Sequence, residues 1–281
     1  MRVANLDGRA ALIVRGRAVD VADASGGRYG PDPQALYDDW DAFTAWARDA
    51  DLPEGREFDA ARLGPPVPAP RQIVAVGLNY RAHAAESGFA VPEGLPPVFT
   101  KFLSSLSGPV TEVTLPDGGH TDWEVELVAV IGRTASHVAE ADAWDHVAGL
   151  TVGQDLSERI SQLAGPAPQF SLGKSFPGFA PTGPWVVTPD ELPDRDDLEL
   201  RAAINGEEVQ KGRTRDLIFS IPVLVSRLSA VLTLLPGDLL FTGTPAGVGL
   251  GRDPQRWLAP GDELVSRIEG IGELRQSFVR A

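Results

Sequence analysis

Glu124 and Glu126 stand one residue apart in the run Thr121-Asp122-Trp123-Glu124-Val125-Glu126-Leu127-Val128-Ala129-Val130-Ile131-Gly132. The run is apolar, partly alternating, β-branched and closed by a glycine, which is the pattern of a β-strand. Side chains at i and i+2 leave a strand on one face, so the two carboxylates point the same way, about 7 Å apart along the strand. Like charges at that spacing repel unless water or a cation separates them. A hard divalent cation is one partner for such a pair, and oxygen ligands favour magnesium, manganese or calcium over zinc. A solvated strand face is the bland reading of the same two residues.

A third carboxylate lies in Gly149-Leu150-Thr151-Val152-Gly153-Gln154-Asp155-Leu156-Ser157-Glu158-Arg159-Ile160-Ser161-Gln162. A strand ending at Gln154 and a helical turn beginning at Asp155 would put Asp155, Arg159 and Gln162 on one helix face. Taken alone, Asp155 also reads as a helix cap and Arg159 as a surface charge. Lys174 sits among apolar residues and glycines in Phe170–Phe179, where a lysine commonly snorkels. Gly173-Lys174-Ser175 is not a phosphate loop, because proline holds position 168 where that motif needs a glycine. Pro177 likewise stands where a serine-hydrolase elbow needs its last glycine. His83 and Glu86 are three apart on a predicted short helix, hence on one side, and can act as a base and its orienter toward a water. His120, His137 and His146 show no metal-like spacing. The glycine-rich stretch Gly243–Gly251 departs from the dinucleotide pattern but allows close backbone approach to a ligand.

These residues must be positioned by a chain of 281 residues with 43% apolar content, enough for one large domain or one with a small appendage. A formal charge of −14 argues against nucleic-acid and anionic-membrane partners. The absence of cysteine excludes disulfides, thiolate zinc sites and cysteine nucleophiles. The N-terminal residues carry no apolar signal core and no run is long enough to span a bilayer, so a cytoplasmic protein is expected. Residues 1–63 read as a small unit, with a hairpin over Ala10–Val14 and Ala18–Val21 and a helix over 33–50. Leu36, Trp40, Phe43 and Trp46 form an aromatic-rich packing stripe on that helix. The proline-rich segment 64–70 is a linker, and residues 71–281 carry the chemistry. There, Arg71–Gly77 is a predicted strand, and Asn79–Glu86 a short helix capped by Asn79 and stopped at Gly88. Leu198–Ile204 with Asn205-Gly206 predicts a hairpin. Ser220–Leu232 predicts a helix with Val223, Leu224, Leu228, Val231 and Leu232 in helical spacing, and Pro-Gly-Asp turns lead into strands at Leu239 and Glu263.

Taken together, five ordered segments resemble the fumarylacetoacetate hydrolase superfamily over roughly residues 71–281. They are Val76–His83, Glu124–Leu127, Gln154–Arg159, Gly173–Phe176 and Phe241–Gly249. The resemblance implies an α+β fold, a β-rich mixed sandwich or roll of the fumarylacetoacetase C-terminal type with a small N-terminal α/β appendage. It implies magnesium or manganese, with calcium also admissible, on Glu124, Glu126 and Asp155. It places Lys174 beside the metal, Arg159, Gln162, Thr244 and Tyr80 on the substrate, and His83 with Glu86 as a water-activating pair. The implied activity is metal-dependent hydrolysis of a C–C bond in a 2,4-dioxo acid, giving a 2-oxo acid and a carboxylic acid. Decarboxylation, isomerisation and dienoate hydration at the same site are the alternatives, and a non-catalytic metal-binding protein is the rival from another class. A homodimer acting on a small 2-oxo or dioxo acid is expected.

Overall fold

The computed structural model describes residues 1–86, 90 and 94–281. Its frame is two sheets, with few helices. The eleven-stranded sheet runs from edge to edge through Arg17–Asp20, Arg9–Val14, Arg2–Leu6, Ala180–Val187, Val147–Gln154, Val125–Ile131, Leu239–Phe241, Ile73–Val76 and Val98–Thr100. Two further short strands, Leu63–Gly64 and Leu106–Ser107, pair at its side. A five-stranded sheet of Glu207–Arg213, Glu199–Ile204, Glu263–Ile268, Gly272–Arg280 and Val110–Leu115 packs on one face. This is the β-rich α+β architecture that the family resemblance implies.

The central strand Val125–Ile131 is buried along its whole length, which is why its sequence is nearly continuous in apolar residues. Period-two alternation divides its side chains. Val125, Leu127, Ala129 and Ile131 enter the core shared with the five-stranded sheet, whereas Val128 and Val130 enter the core on the other face. Residues 1–63 add three strands to the large sheet, with Arg2 opposite Val187. Trp40 and Phe43, on the helix Trp40–Asp49, lie in the same apolar cluster as Val128, Val130 and Phe241. The aromatic stripe is therefore packing, as expected.

Several local expectations are corrected. The strand predicted over 121–132 is two strands, because Thr121–Asp122 pairs with Ser157–Glu158 in a ladder of its own. At the corner between them, side chains replace the ladder bonds: Asp122 Oδ1 accepts the Trp123 N–H and Gln154 Oε1 accepts the Glu124 N–H. The short helix begins at Arg81, not Asn79, and its predicted stop at Gly88 lies outside the described residues. Asn79 caps no helix. Its buried amide bonds both backbone groups of Phe219 and the Thr242 carbonyl, tying three loops together. The helix after Ser220 is Ile221–Ser229, without a side-chain cap from Ser220, and it ends short of Val231, which is 80% exposed.

Candidate active site

The three predicted carboxylates converge. One oxygen from each of Glu124, Glu126 and Asp155 lies within 4.8 Å of the others, and among the described residues this is the one cluster able to hold a metal ion. All three residues are buried. Glu126 comes from the central strand and Glu124 from the corner before it, on the same parity, so the period-two reading holds through the break. Asp155 arrives differently from the expectation. It follows the strand Val147–Gln154 directly, and the helix Arg159–Gln162 starts four residues later, with Glu158 as its cap. The Asp155 N–H is donated to the Glu124 carbonyl at 2.9 Å, which locks two of the three acids side by side.

Buried cations surround them. Lys174 Nζ donates to Glu124 Oε2 at 2.9 Å, Asp155 Oδ2 at 2.5 Å and Ser157 Oγ at 2.8 Å. Burial alone would lower the lysine's pKa, but the charges of Asp155 and Glu124 outweigh it and hold the ammonium protonated. Burial would also raise Glu124, yet Lys174 and Arg159 pull its carboxyl far below the ordinary range. Glu126 goes the other way: burial, then the like charges of Asp155 and Glu124, push it well above the usual carboxylate range. The reason is a simple count. Within the cluster the buried acids Asp122, Glu124, Glu126 and Asp155 face the buried cations Lys101, Arg159 and Lys174, so the cluster is one positive charge short. A hard divalent cation more than offsets that single charge and prefers an all-oxygen donor set, so the residues present fit the metal the sequence implies.

Two residues of this network were not singled out from the sequence. Lys101 is fully buried, and its Nζ donates to Asp155 Oδ1 at 2.5 Å and to the Lys174 carbonyl at 2.5 Å. Burial lowers its pKa against the pull of Asp155. Asp122 is also buried, and its Oδ2 accepts from Arg159 Nε and Nη2 at 2.8 and 2.6 Å. The same carboxylate accepts the N–H groups of Gly249 and Leu250 at 2.6 and 3.0 Å, so it joins Arg159 to the glycine-rich loop. A side chain at Gly249 would collide with Asp122 Oδ1 and with the Arg256 carbonyl. Parity was the one available signal for Asp122, which stands two residues before Glu124 in the same run.

His83 and Glu86 meet as predicted, with Nδ1 to Oε1 at 2.8 Å. The Glu86 carboxylate also accepts the Gly247 N–H, so the short helix is pinned to the glycine-rich loop. Gly243 sits with φ +99° where a side chain would strike Asn79, and its N–H donates to Glu126 Oε2 at 2.7 Å. A cavity of about 200 Å³ opens onto Glu124, Glu126, Lys174, Arg159, Gln162, His83 and Thr244. Gln162 lines the cavity, and its Oε1 accepts from Arg159 Nη1 at 2.8 Å. Thr244 lines the cavity, but its hydroxyl proton goes to the Val125 carbonyl. Asp155 and Glu86 stand behind the lining residues, bonded to Lys174 and His83, whereas Tyr80 neither lines the cavity nor joins the cluster: it packs in the core, 2% exposed, with no hydrogen-bond partner for its hydroxyl among the described residues. Among those residues no helix is long and apolar enough to cross a membrane.

Known proteins share this arrangement of chain. Residues 72–279 match the family model for the fumarylacetoacetate (FAA) hydrolase C-terminal domain. The 2,4-didehydro-3-deoxy-L-rhamnonate hydrolase of Sphingomonas sp. (strain SKA58) is 47% identical over 217 residues, covering 76% of this chain and 75% of its own. The mitochondrial oxaloacetate tautomerase FAHD2A of Homo sapiens is 43% identical over 215 residues, covering 76% of this chain and 68% of its own. The crystal structure of maleylpyruvate hydrolase from Sphingobium sp. SYK-6, in complex with manganese(II) ion and pyruvate, is similar over 100% of both chains, with a TM-score of 0.80 and 31% identity.

Proposed function

Because the chain belongs to the fumarylacetoacetate hydrolase family, we propose that it is a divalent-metal-dependent hydrolase of 2,4-dioxo (acylpyruvate-type) acids. The reaction is R–CO–CH₂–CO–CO₂⁻ + H₂O giving R–CO₂H and pyruvate. Water adds to the acyl carbonyl, the bond from that carbon to the methylene breaks, and the methylene carbon gains a proton. Held by Glu124, Glu126 and Asp155, a magnesium or manganese ion would supply Lewis-acid polarisation of the substrate's carboxylate and 2-oxo oxygens. The likeness to a manganese-bound maleylpyruvate hydrolase supports that cofactor class.

The observation that carries the reading is His83, backed by Glu86, on the wall of the cavity that Glu124 and Glu126 line. An ionised carboxylate only accepts, so Glu86 fixes the proton on His83 Nδ1 and leaves Nε2 with a lone pair to take a proton from water. Lys174, held charged, stabilises negative charge that develops on the substrate through its field. Gln162 and the free N–H of Arg159 orient the oxo acid. Keto–enol tautomerisation is the second reading, favoured by the likeness to the human tautomerase. It needs proton transfer at the methylene but no activated water.

One experiment separates them. Acetylpyruvate with magnesium should lose its enol absorbance and release pyruvate, and chelator should stop both. His83→Ala should cut pyruvate release about 10²–10⁴-fold while leaving enol–keto exchange of oxaloacetate largely intact. Equal loss of both activities, or turnover indifferent to chelator, refutes the hydrolase reading.

A further inference from the structure

The cavity has a charged end and an apolar remainder. Its polar lining residues all belong to the acid–cation cluster and its neighbours, whereas the rest of the lining includes Leu78, Pro97, Phe99, Leu163, Phe170 and Leu250. Phe99 and Phe170 meet edge to face with ring centroids 5.8 Å apart, and Lys174 Nζ stands 4.9 Å from the centre of the Phe99 ring, marking the junction between the two ends. Leu78 is held at φ +53°, a left-handed backbone that a leucine adopts only under constraint. The fixed amide of Asn79, next in the chain, supplies that constraint and keeps an apolar side chain on the cavity wall.

The cations at the charged end have no grip to spare for a second anion. A guanidinium has five N–H groups. Arg159 gives two to Asp122, one to Glu124 at 2.7 Å and one to Gln162, leaving a single donor and no two-pronged fork. Lys174 Nζ is tied to Glu124, Asp155 and Ser157, so its charge is engaged at the acid end of the cavity. Among the described lining residues, a carboxylate on the far end of a substrate would thus meet leucine, proline and phenylalanine and no partner, as would hydroxyl groups. An alkyl or aryl tail meets no such penalty and gains about fourfold in affinity per buried methylene.

Resting on the hydrolase reading for its reaction, we infer that the acyl tail R is uncharged and apolar, and that the site discriminates against tails carrying a second carboxylate or several hydroxyls.

Two measurements on the magnesium-loaded protein test it separately from the reaction. In the first, kcat/KM is compared for acylpyruvates with butyl or phenyl tails, for fumarylpyruvate, and for a polyhydroxylated 2,4-dioxo acid. At least a tenfold preference for the apolar tails is expected, and an equal or reversed preference overturns the inference. The second is calorimetric binding of 2-oxohexanoate against 2-oxoadipate, which cannot undergo this hydrolysis. The monoacid should bind at least tenfold more tightly, and tighter binding of the diacid overturns the inference whether or not any acylpyruvate is cleaved. Failure of every acylpyruvate to turn over, with 2-oxohexanoate still bound preferentially, removes the hydrolase reading and leaves the tail inference standing. Leu163→Arg, at a 49% exposed position on the rim, should move the selectivity ratio at least tenfold toward fumarylpyruvate; no movement counts against the inference.

Discussion

Replacing Lys174 by methionine probes the charge balance on which the site rests. Methionine keeps most of the volume and the unbranched stem, so packing is little disturbed. What disappears is an ammonium that is 2% exposed and bonded to Glu124, Asp155 and Ser157. Four buried acids then face two buried cations instead of three. Removing one partner of a buried pair costs about 3–5 kcal/mol, which corresponds to a fall in melting temperature of roughly 6–10 °C for a chain of this size. Magnesium should oppose the loss. In the wild-type protein a hundredfold excess over Kd contributes about 2.7 kcal/mol. In the variant the gain should be larger, because the ion no longer meets a fixed positive charge among its ligands. Calorimetric melting in chelator and in magnesium, for both proteins, gives the four numbers needed. Turnover should fall more than about 100-fold in the variant even with the ion present, since the charge facing the substrate is gone. A metal-free melting temperature within about 1 °C of wild type, or a magnesium gain no larger than in wild type, would show that Lys174 does not balance the buried acids.

Asp122→Asn should cost about 3–5 kcal/mol of stability and raise KM, because an amide cannot accept from Arg159, Gly249, Leu250 and Trp123 together; thermal melting and steady-state kinetics check it, and an unchanged KM counts against the coupling of loop to arginine. Glu126→Gln retains an oxygen for the Gly243 N–H, so the fold should survive while metal-dependent turnover drops more than about 100-fold; full activity after chelator treatment contradicts the metal assignment. The pH dependence of the metal-free protein has a definite sign. Glu126 keeps its proton in the folded state above its ordinary value of 4.5, so the folded state binds the extra proton and stability falls as pH rises from that value through the folded pKa. Melting in chelator should therefore drop between mild acid and neutrality, magnesium should remove the drop, and Glu126→Gln should lack it; an identical slope in that variant assigns the effect to another group.

Local pattern was enough for much of this. A two-residue period placed Glu124 and Glu126 on one face before any fold was known, and it survived the corner at Trp123 because a corner does not change parity. The Asn-Gly turn between Leu198–Ile204 and the following strand, and the aromatic stripe from Trp40 to Trp46, are signals contained within a dozen residues. Helix ends were legible less well. Asn79 has the chemistry of a cap, yet its amide is used by Phe219 and Thr242, partners about 140 and 163 residues away that no local window contains.

The sequence by itself determined which side chains could bear the chemistry: acids at strand spacing, a histidine and glutamate one helical turn apart, and a lysine in an apolar setting. Only the tertiary structure decided what those groups are. Burial turned a solvated-looking pair into a charge deficit, and Lys101 and Asp122 became part of the site because strands distant in the chain set them against Asp155 and Arg159. The physical reason is that charge interactions depend on distance and dielectric, and both are fixed by packing rather than by order along the chain.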